Sequence, residues 1–163
     1  MKNIVIIGGT KGIGKAIVAS LVTNNNITCL SRNKSEFSHD NYIHIKYNSL
    51  EDDLPEIEFV DCLIYCPGSI NLKPITNLSV DDFRDDFEIN VIGAVKCIKK
   101  YLPQLKSGVN PSILLFSTVA TKLGMPYHAS VSVAKSGIDG LVKTLGAESV
   151  SYTHLTLPTK FVV

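Results

Sequence analysis

Near the start of the chain, Gly8-Gly9-Thr10-Lys11-Gly12-Ile13-Gly14 has the composition and spacing of an anion cradle. Glycines at 8, 12 and 14 let the chain turn sharply and let backbone amides come close to a bound group. A helix beginning at that turn would direct its N-terminal amides and positive dipole end at the same group. The apolar run Ile4-Val5-Ile6-Ile7 just before it reads as a buried parallel strand, since strands covered on both faces need not alternate. Strand, glycine turn and helix in this order suit a dinucleotide pyrophosphate. The turn also occurs as a plain tight turn, so the rest of the chain has to decide.

Other residue types with chemical potential form weaker patterns. Cys29, Cys62, Cys66 and Cys97 all lie in apolar contexts, and the spacing of Cys62 and Cys66 fits neither a redox pair nor a zinc knuckle. They read as small buried hydrophobes of a protein kept in a reducing cytoplasm. Asp81, Asp82, Asp85, Asp86 and Glu88 form an acidic group. Both aspartate pairs are expected on the solvated face of a helix, where they favour its N-terminal dipole rather than a metal. His39, His44, His128 and His154 show no ligand spacing, so no metal site is expected.

The elements that would position these residues follow from the alternation of strand-like and helical runs. Strands are expected at 3–8, 27–31, 43–47, 59–66 and 112–117. Helices are expected at 12–23, from an N-cap at Ser79 to about 105, and at 129–148. The fold class is α/β, a doubly wound parallel sheet. A chain of 163 residues with 45% hydrophobic and 19% charged content suits one globular domain. The net charge of +1 supplies no field for nucleic acid or an anionic membrane. No apolar run has the length of a bilayer span, and no signal peptide precedes the first strand, so a cytoplasmic location is expected.

Taken together, these motifs resemble the short-chain dehydrogenase/reductase family, from Met1 to about Glu148. The family's TGxxxGxG turn corresponds to Ile7-Gly8-Gly9-Thr10-Lys11-Gly12-Ile13-Gly14, departing only at the leading Thr. Its NNAG motif corresponds to Tyr65-Cys66-Pro67-Gly68, which keeps the glycine alone. Asn90 matches the Asn of the long helix, and Lys135 matches the lysine of YxxxK. The resemblance implies a Rossmann-type sheet of order 3-2-1-4-5 and a nicotinamide dinucleotide cofactor. It assigns Gly8, Thr10, Lys11, Gly12, Ile13 and Gly14 to the pyrophosphate, and Pro67 and Gly68 to the adenosine side. Asn48 would face the adenine, and Lys135 the ribose hydroxyls.

Cofactor preference follows from charge at the end of the second strand. Enzymes of this fold that use NAD usually place a carboxylate there. Here the residues are Ser31-Arg32-Asn33. The planar, permanently charged fork of Arg32, with Lys11 nearby, suits a 2′-phosphate, so NADP(H) is expected over NAD(H).

The catalytic end departs from the family. Four residues before Lys135, where the family has its proton-transferring Tyr, stands Val131. Thr118 occupies the Ser position and keeps a hydroxyl to polarise a substrate carbonyl, and Asn90 would hold a water or the lysine in a proton relay. Three readings of Val131 stand side by side. His128, three and seven residues before Val131 and Lys135, supplies the acid from the same helix face. Alternatively, the protein binds NADP(H) without carbonyl reduction, as a redox sensor or oligomerisation partner. Or its chemistry dispenses with the Tyr.

The resemblance further implies a small carbonyl or alcohol substrate and a homo-oligomer formed through helices 81–105 and 129–148. Residues 1–148 are expected to form an incomplete dinucleotide-binding domain, truncated before a sixth strand. Residues 149–163 show nothing like the family's expected sixth strand, read as translated adapter sequence, and are expected to be a non-native tail.

Overall fold

A computed structural model describes residues 1–149 of the chain. The segment expected to be a tail lies, from residue 150 onward, outside the described residues. Five parallel strands, β1 (Asn3–Ile7), β2 (Asn26–Ser31), β3 (Tyr42–Lys46), β4 (Cys62–Tyr65) and β5 (Ser112–Leu115), form one sheet in the order β3-β2-β1-β4-β5. Helices α1 (Gly12–Leu21), α2 (Val80–Phe87), α3 (Gly93–Ser107) and α4 (Ala129–Ser149) cover its faces.

The central strand shows why the sheet needs cover on both sides. Val5 and Ile7 of β1 face one core with Leu63, Tyr65, Ala94, Ile98, Tyr101 and Ile138, drawn from β4, α3 and α4. Ile4 and Ile6 face the other, with Val18 and Val22 of the α1 segment and Ile27 and Ile64. A strand with period two and both faces buried reads as a continuous apolar run, which is what residues 4–7 are.

Backbone pairing continues past the C-terminal ends of the strands. Gly8 N–H donates to Leu30 O at 2.7 Å, Cys66 N–H to Ile7 O at 3.0 Å, and Tyr47 N–H to Ser31 O at 3.1 Å. The loops that would form a site are thereby joined to the sheet itself.

Three expectations need correction. The fourth strand starts at Cys62 rather than Phe59: Phe59 is 62% exposed, and Asp61 ends the approach by accepting from the Asn3 and Val109 amides at 2.8 and 3.2 Å. The long helical region is not uniform, because Glu88–Ile92 forms a π-helical turn between α2 and α3. Asp86 does not lie on the solvated face; it is fully buried. Its carboxylate finds hydroxyl and amide partners inside, which a helical wheel of charges cannot reveal.

Ser79 caps α2 through a reciprocal arrangement. The Asp82 amide donates to Ser79 Oγ at 3.1 Å, and the Ser79 amide donates to Asp82 Oδ2 at 2.8 Å. The fifth strand and the helix after it are connected by a turn in which Tyr127 adopts a left-handed φ of 66°. Among the described residues, no helix is long and apolar enough to cross a membrane, and no His/Cys/Asp/Glu group could hold a metal ion.

Candidate functional site

The glycine turn is built as a tight ligand cradle requires. Gly8 has φ 79° and Gly12 φ 51°, values that favour glycine. At Gly14 any side chain would collide with the Gly8 carbonyl, so the helix packs directly against the turn. No side chain caps the start of α1, which leaves its first amides available.

Two adjoining clefts open beside this turn at the C-terminal ends of the strands. One, of about 350 Å³, is lined by Thr10, Lys11, Gly12, Lys15, Asn33, Lys34 and Glu36, among others. The second, of about 270 Å³, is bordered by Gly8, Thr10, Lys11, Ser31, Arg32, Asn33, Asn48, Pro67, Gly68 and Ser69. Of the residues expected at a cofactor, Ile13 and Gly14 alone border neither cleft, apart from Lys135. Ser31 Oγ donates to Asn33 O at 3.0 Å and hydrogen-bonds His44 Nε2 at 2.9 Å, which fixes the bend carrying Arg32. Asn48 orders the next loop: its Oδ1 accepts from the Leu50 amide at 3.3 Å, and its own amide donates to Asp52 Oδ2 at 2.6 Å.

Lys135 and Asn90 converge on Gly68. A Cβ placed on Gly68 would lie 3.1 Å from Asn90 Oδ1 and 3.6 Å from Lys135 Nζ. The Lys135 ammonium donates to Phe116 O at 2.9 Å, and its burial pushes its pKa below the usual lysine value, with the Cys66 thiol pulling weakly the other way. Burial pushes the Cys66 thiol up to about 12, so it stays protonated. Asn90 is fully buried; its Nδ2 donates to Asp86 O at 2.8 Å and to Ser69 Oγ at 3.1 Å, while its Oδ1 has no partner. An orphaned amide oxygen beside an ammonium is a fitting position for a bridging donor.

The remaining catalytic candidates are more dispersed. Thr118 Oγ1 accepts from the Ala120 amide at 3.3 Å and so caps a short 3₁₀ turn. Val131 is buried, at 4% exposure. His128 does not sit in the helix it was expected to share: α4 begins at Ala129, and the His128 Nδ1 is bound to Pro126 O at 2.7 Å. A carbonyl only accepts, so that nitrogen carries a proton and the ring is held toward the loop.

Ser69 and Asp86 escaped the sequence reading. The Ser69 hydroxyl donates to Asp86 Oδ1 at 2.5 Å, and Asn71 Nδ2 adds a contact of 3.3 Å. These partners are seventeen and fifteen residues apart in sequence. The one available signal was a polar Ser directly after Pro67-Gly68.

A parallel sheet with its glycine turn, uncapped helix start and clefts at the strand ends defines a dinucleotide-binding α/β protein. Residues 47–155 match the model of the short chain dehydrogenase family, and the chain belongs to that family. It is 24% identical over 160 residues to a 2-dehydro-3-deoxy-L-rhamnonate dehydrogenase (NAD(+)) of Sphingomonas sp. (strain SKA58), a match covering 88% of this chain and 64% of that protein. It is 26% identical to a 2,5-dichloro-2,5-cyclohexadiene-1,4-diol dehydrogenase of Sphingobium indicum, covering 90% of this chain and 66% of that one. The chain thus spans slightly under two thirds of the length of these relatives. Among solved structures, a short-chain dehydrogenase from Streptomyces avermitilis superposes with a TM-score of 0.85 at 19% identity, over 96% of this chain and 64% of its own. ElxO with NADP bound gives 0.81 at 22% identity, over 93% and 70%.

Proposed function

We propose that this chain supplies the dinucleotide-binding part, residues 1–148, of an NADP(H)-dependent oxidoreductase that acts on a small carbonyl or alcohol. The observation that carries the NADP(H) preference is the cationic lining of the paired clefts. Lys11 borders both, Arg32 borders one, Lys15 and Lys34 the other, and no carboxylate ends β2. The one carboxylate in that lining, Glu36, sits 3.9 Å from Lys15 and is itself strongly exposed, so it offers a ribose little.

The bound cofactor would accept or supply the hydride; the chain's residues do the rest. The amides of the glycine turn and the start of α1 hold the pyrophosphate, Arg32 and Lys11 the 2′-phosphate, and Pro67 and Gly68 the adenosine side. Asn48 faces the adenine. Lys135 binds the ribose hydroxyls and supplies positive charge, Asn90 relays a proton beside it, and Thr118 polarises the substrate oxygen. Exposed apolar side chains on α2 and α4, among them Val80, Phe87 and Val133, border one shallow groove and support association of the complete protein with a second copy.

Val131 favours a second reading. A buried aliphatic residue where relatives keep an ionisable hydroxyl is what a dinucleotide sensor without turnover would tolerate. Fluorescence titration of the gene product with NADPH and with NADH tests the first reading. Tighter binding of NADPH by at least tenfold is expected, and equal or tighter NADH binding would refute the preference. Consumption of bound NADPH with a ketone panel separates enzyme from sensor.

A further inference from the structure

The two nicotinamide dinucleotides differ by one group, a 2′-phosphate in place of a hydroxyl. Only residues that meet that group can set a preference, and a guanidinium meets it well only when its planar fork is aimed. Arg32 projects from the bend just after β2, so its aim is set by whatever fixes that bend.

Ser31, immediately before Arg32, accepts from the Tyr47 amide through its carbonyl at 3.1 Å. Its hydroxyl reaches across Arg32 to the Asn33 carbonyl at 3.0 Å, and the same oxygen lies 2.9 Å from His44 Nε2. A carbonyl only accepts, so the single hydroxyl proton goes to Asn33 and the ring must donate. His44 Nε2 therefore carries a proton, and the chain runs in one direction, from His44 to Ser31 to Asn33. Ser31 is 6% exposed, and a buried hydroxyl near a strand end is justified by such partners rather than by packing.

The sheet register explains how His44 comes to be there. On the edge strand β3, His44 stands opposite Cys29 and Lys46 opposite Ser31, so His44 lies on the face that Ser31 shares. Tyr42 lies on that face too; its hydroxyl meets Ser35 Oγ at 2.7 Å, and its ring packs on Phe37 with centroids 5.3 Å apart. One face of β3 thus anchors the segment at Ser31 and again at Ser35. Arg32, Asn33 and Lys34, which border the paired clefts, span the interval between the anchors. His44 itself borders neither cleft.

We infer that His44 is a positioning residue for dinucleotide choice: through Ser31 it fixes the bend that aims Arg32 at the 2′-phosphate, without lining either cleft itself. This rests on the NADP(H) reading above. Contacts to the rest of the cofactor are common to both dinucleotides, so loosening the bend should be felt by the phosphorylated one alone.

The test titrates the gene product with NADPH and with NADH by fluorescence, as wild type and in His44→Leu, His44→Gln and Ser31→Ala forms. In H44L and in S31A, NADPH affinity should fall about three- to tenfold, the equivalent of one ordinary hydrogen bond, while NADH affinity stays within twofold. H44Q, whose amide can donate in place of Nε2, should restore NADPH binding to within twofold of wild type. In an Arg32→Ala background, H44L should change neither affinity, because the side chain it aims is gone. Equal losses for both dinucleotides in H44L, or an undiminished H44L effect in the R32A background, would reduce His44 to a structural residue and overturn the inference. Long-range ¹H–¹⁵N spectra of the wild-type protein without dinucleotide, at mildly alkaline pH where an ordinary imidazole is neutral, should place the ring proton of His44 on Nε2. A proton on Nδ1 alone overturns the chain whatever the variants do. Wild-type protein that prefers NADPH while H44L and S31A keep the same preference sinks the inference and leaves the NADP(H) reading standing. Wild-type protein that binds NADH as tightly as NADPH, or binds neither, overturns both.

Discussion

The Tyr65 hydroxyl donates to the Ile89 carbonyl at 2.7 Å, inside the π-helical turn that separates α2 from α3. Within that turn the Gly93 amide reaches back five residues to the Glu88 carbonyl, and a wider turn of this kind needs partners for groups it displaces from the regular pattern. Tyr65 comes from the end of β4, so the sheet itself holds the turn that carries Asn90 toward Gly68.

Tyr65→Phe removes that donor from the part-buried Ile89 carbonyl. A loss of about 0.5–1.5 kcal/mol of stability is expected, read as a lower urea midpoint with unchanged slope. Gly93→Ala should cost more, because a Cβ there would run into the Tyr65 hydroxyl. The two changes should also be non-additive, since they act on one contact.

Arg32→Ala should weaken NADPH binding by roughly ten- to a hundredfold, the size of one or two charge-assisted hydrogen bonds. NADH binding should stay nearly constant, because it lacks the 2′-phosphate. Fluorescence titration with both dinucleotides checks the difference.

Lys135 is a base whose pKa burial lowers from 10.5. It therefore loses its positive charge at a lower pH than an exposed lysine would. Binding energy that depends on its ammonium fades at a lower pH than it would for an exposed lysine. A plot of NADPH affinity against pH should fall on the alkaline side, and Lys135→Met should flatten it.

Asp82 is held below the ordinary carboxylate range by the Ser79 amide first, then by Lys73 and the Ser79 hydroxyl. A depressed acid contributes stability above its unfolded value of 3.8, and that contribution disappears as the pH falls through its lower folded value. Ser79→Ala should cost about 1 kcal/mol of stability at neutral pH through the lost cap. It should also narrow the stability difference between pH 7 and pH 3, measured by thermal unfolding across that interval.

Much of this architecture was legible because its causes are local. The apolar run 4–7, the glycine spacing that follows it and the Ser79 cap are each set by neighbours within a few residues. Their alternation suffices for a parallel sheet, while the order 3-2-1-4-5 is what the family resemblance implies. What was not legible depends on partners distant in sequence. Asp86 belongs by composition with the exposed Asp81 and Asp85, yet it is drawn inward by Ser69 from a loop across the sheet end. The start of β4 was misjudged for a similar reason, since Asp61 takes its hydrogen bonds from Asn3 and Val109. His128 matched its expected helix face by spacing alone, and the carbonyl of Pro126 took it away.

The amide pairings that run past the strand ends, from Gly8 to Leu30, from Cys66 to Ile7 and from Tyr47 to Ser31, have a kinetic meaning. Amides bonded to the central sheet exchange with solvent deuterium only when the sheet itself opens, whereas ordinary loop amides exchange through local fluctuation. These three loop-entry amides should therefore exchange on the slow timescale of the β1 core. A cradle that rigid gives up little conformational freedom when a ligand arrives, so affinity there is limited by chemical match rather than by the ordering of loops.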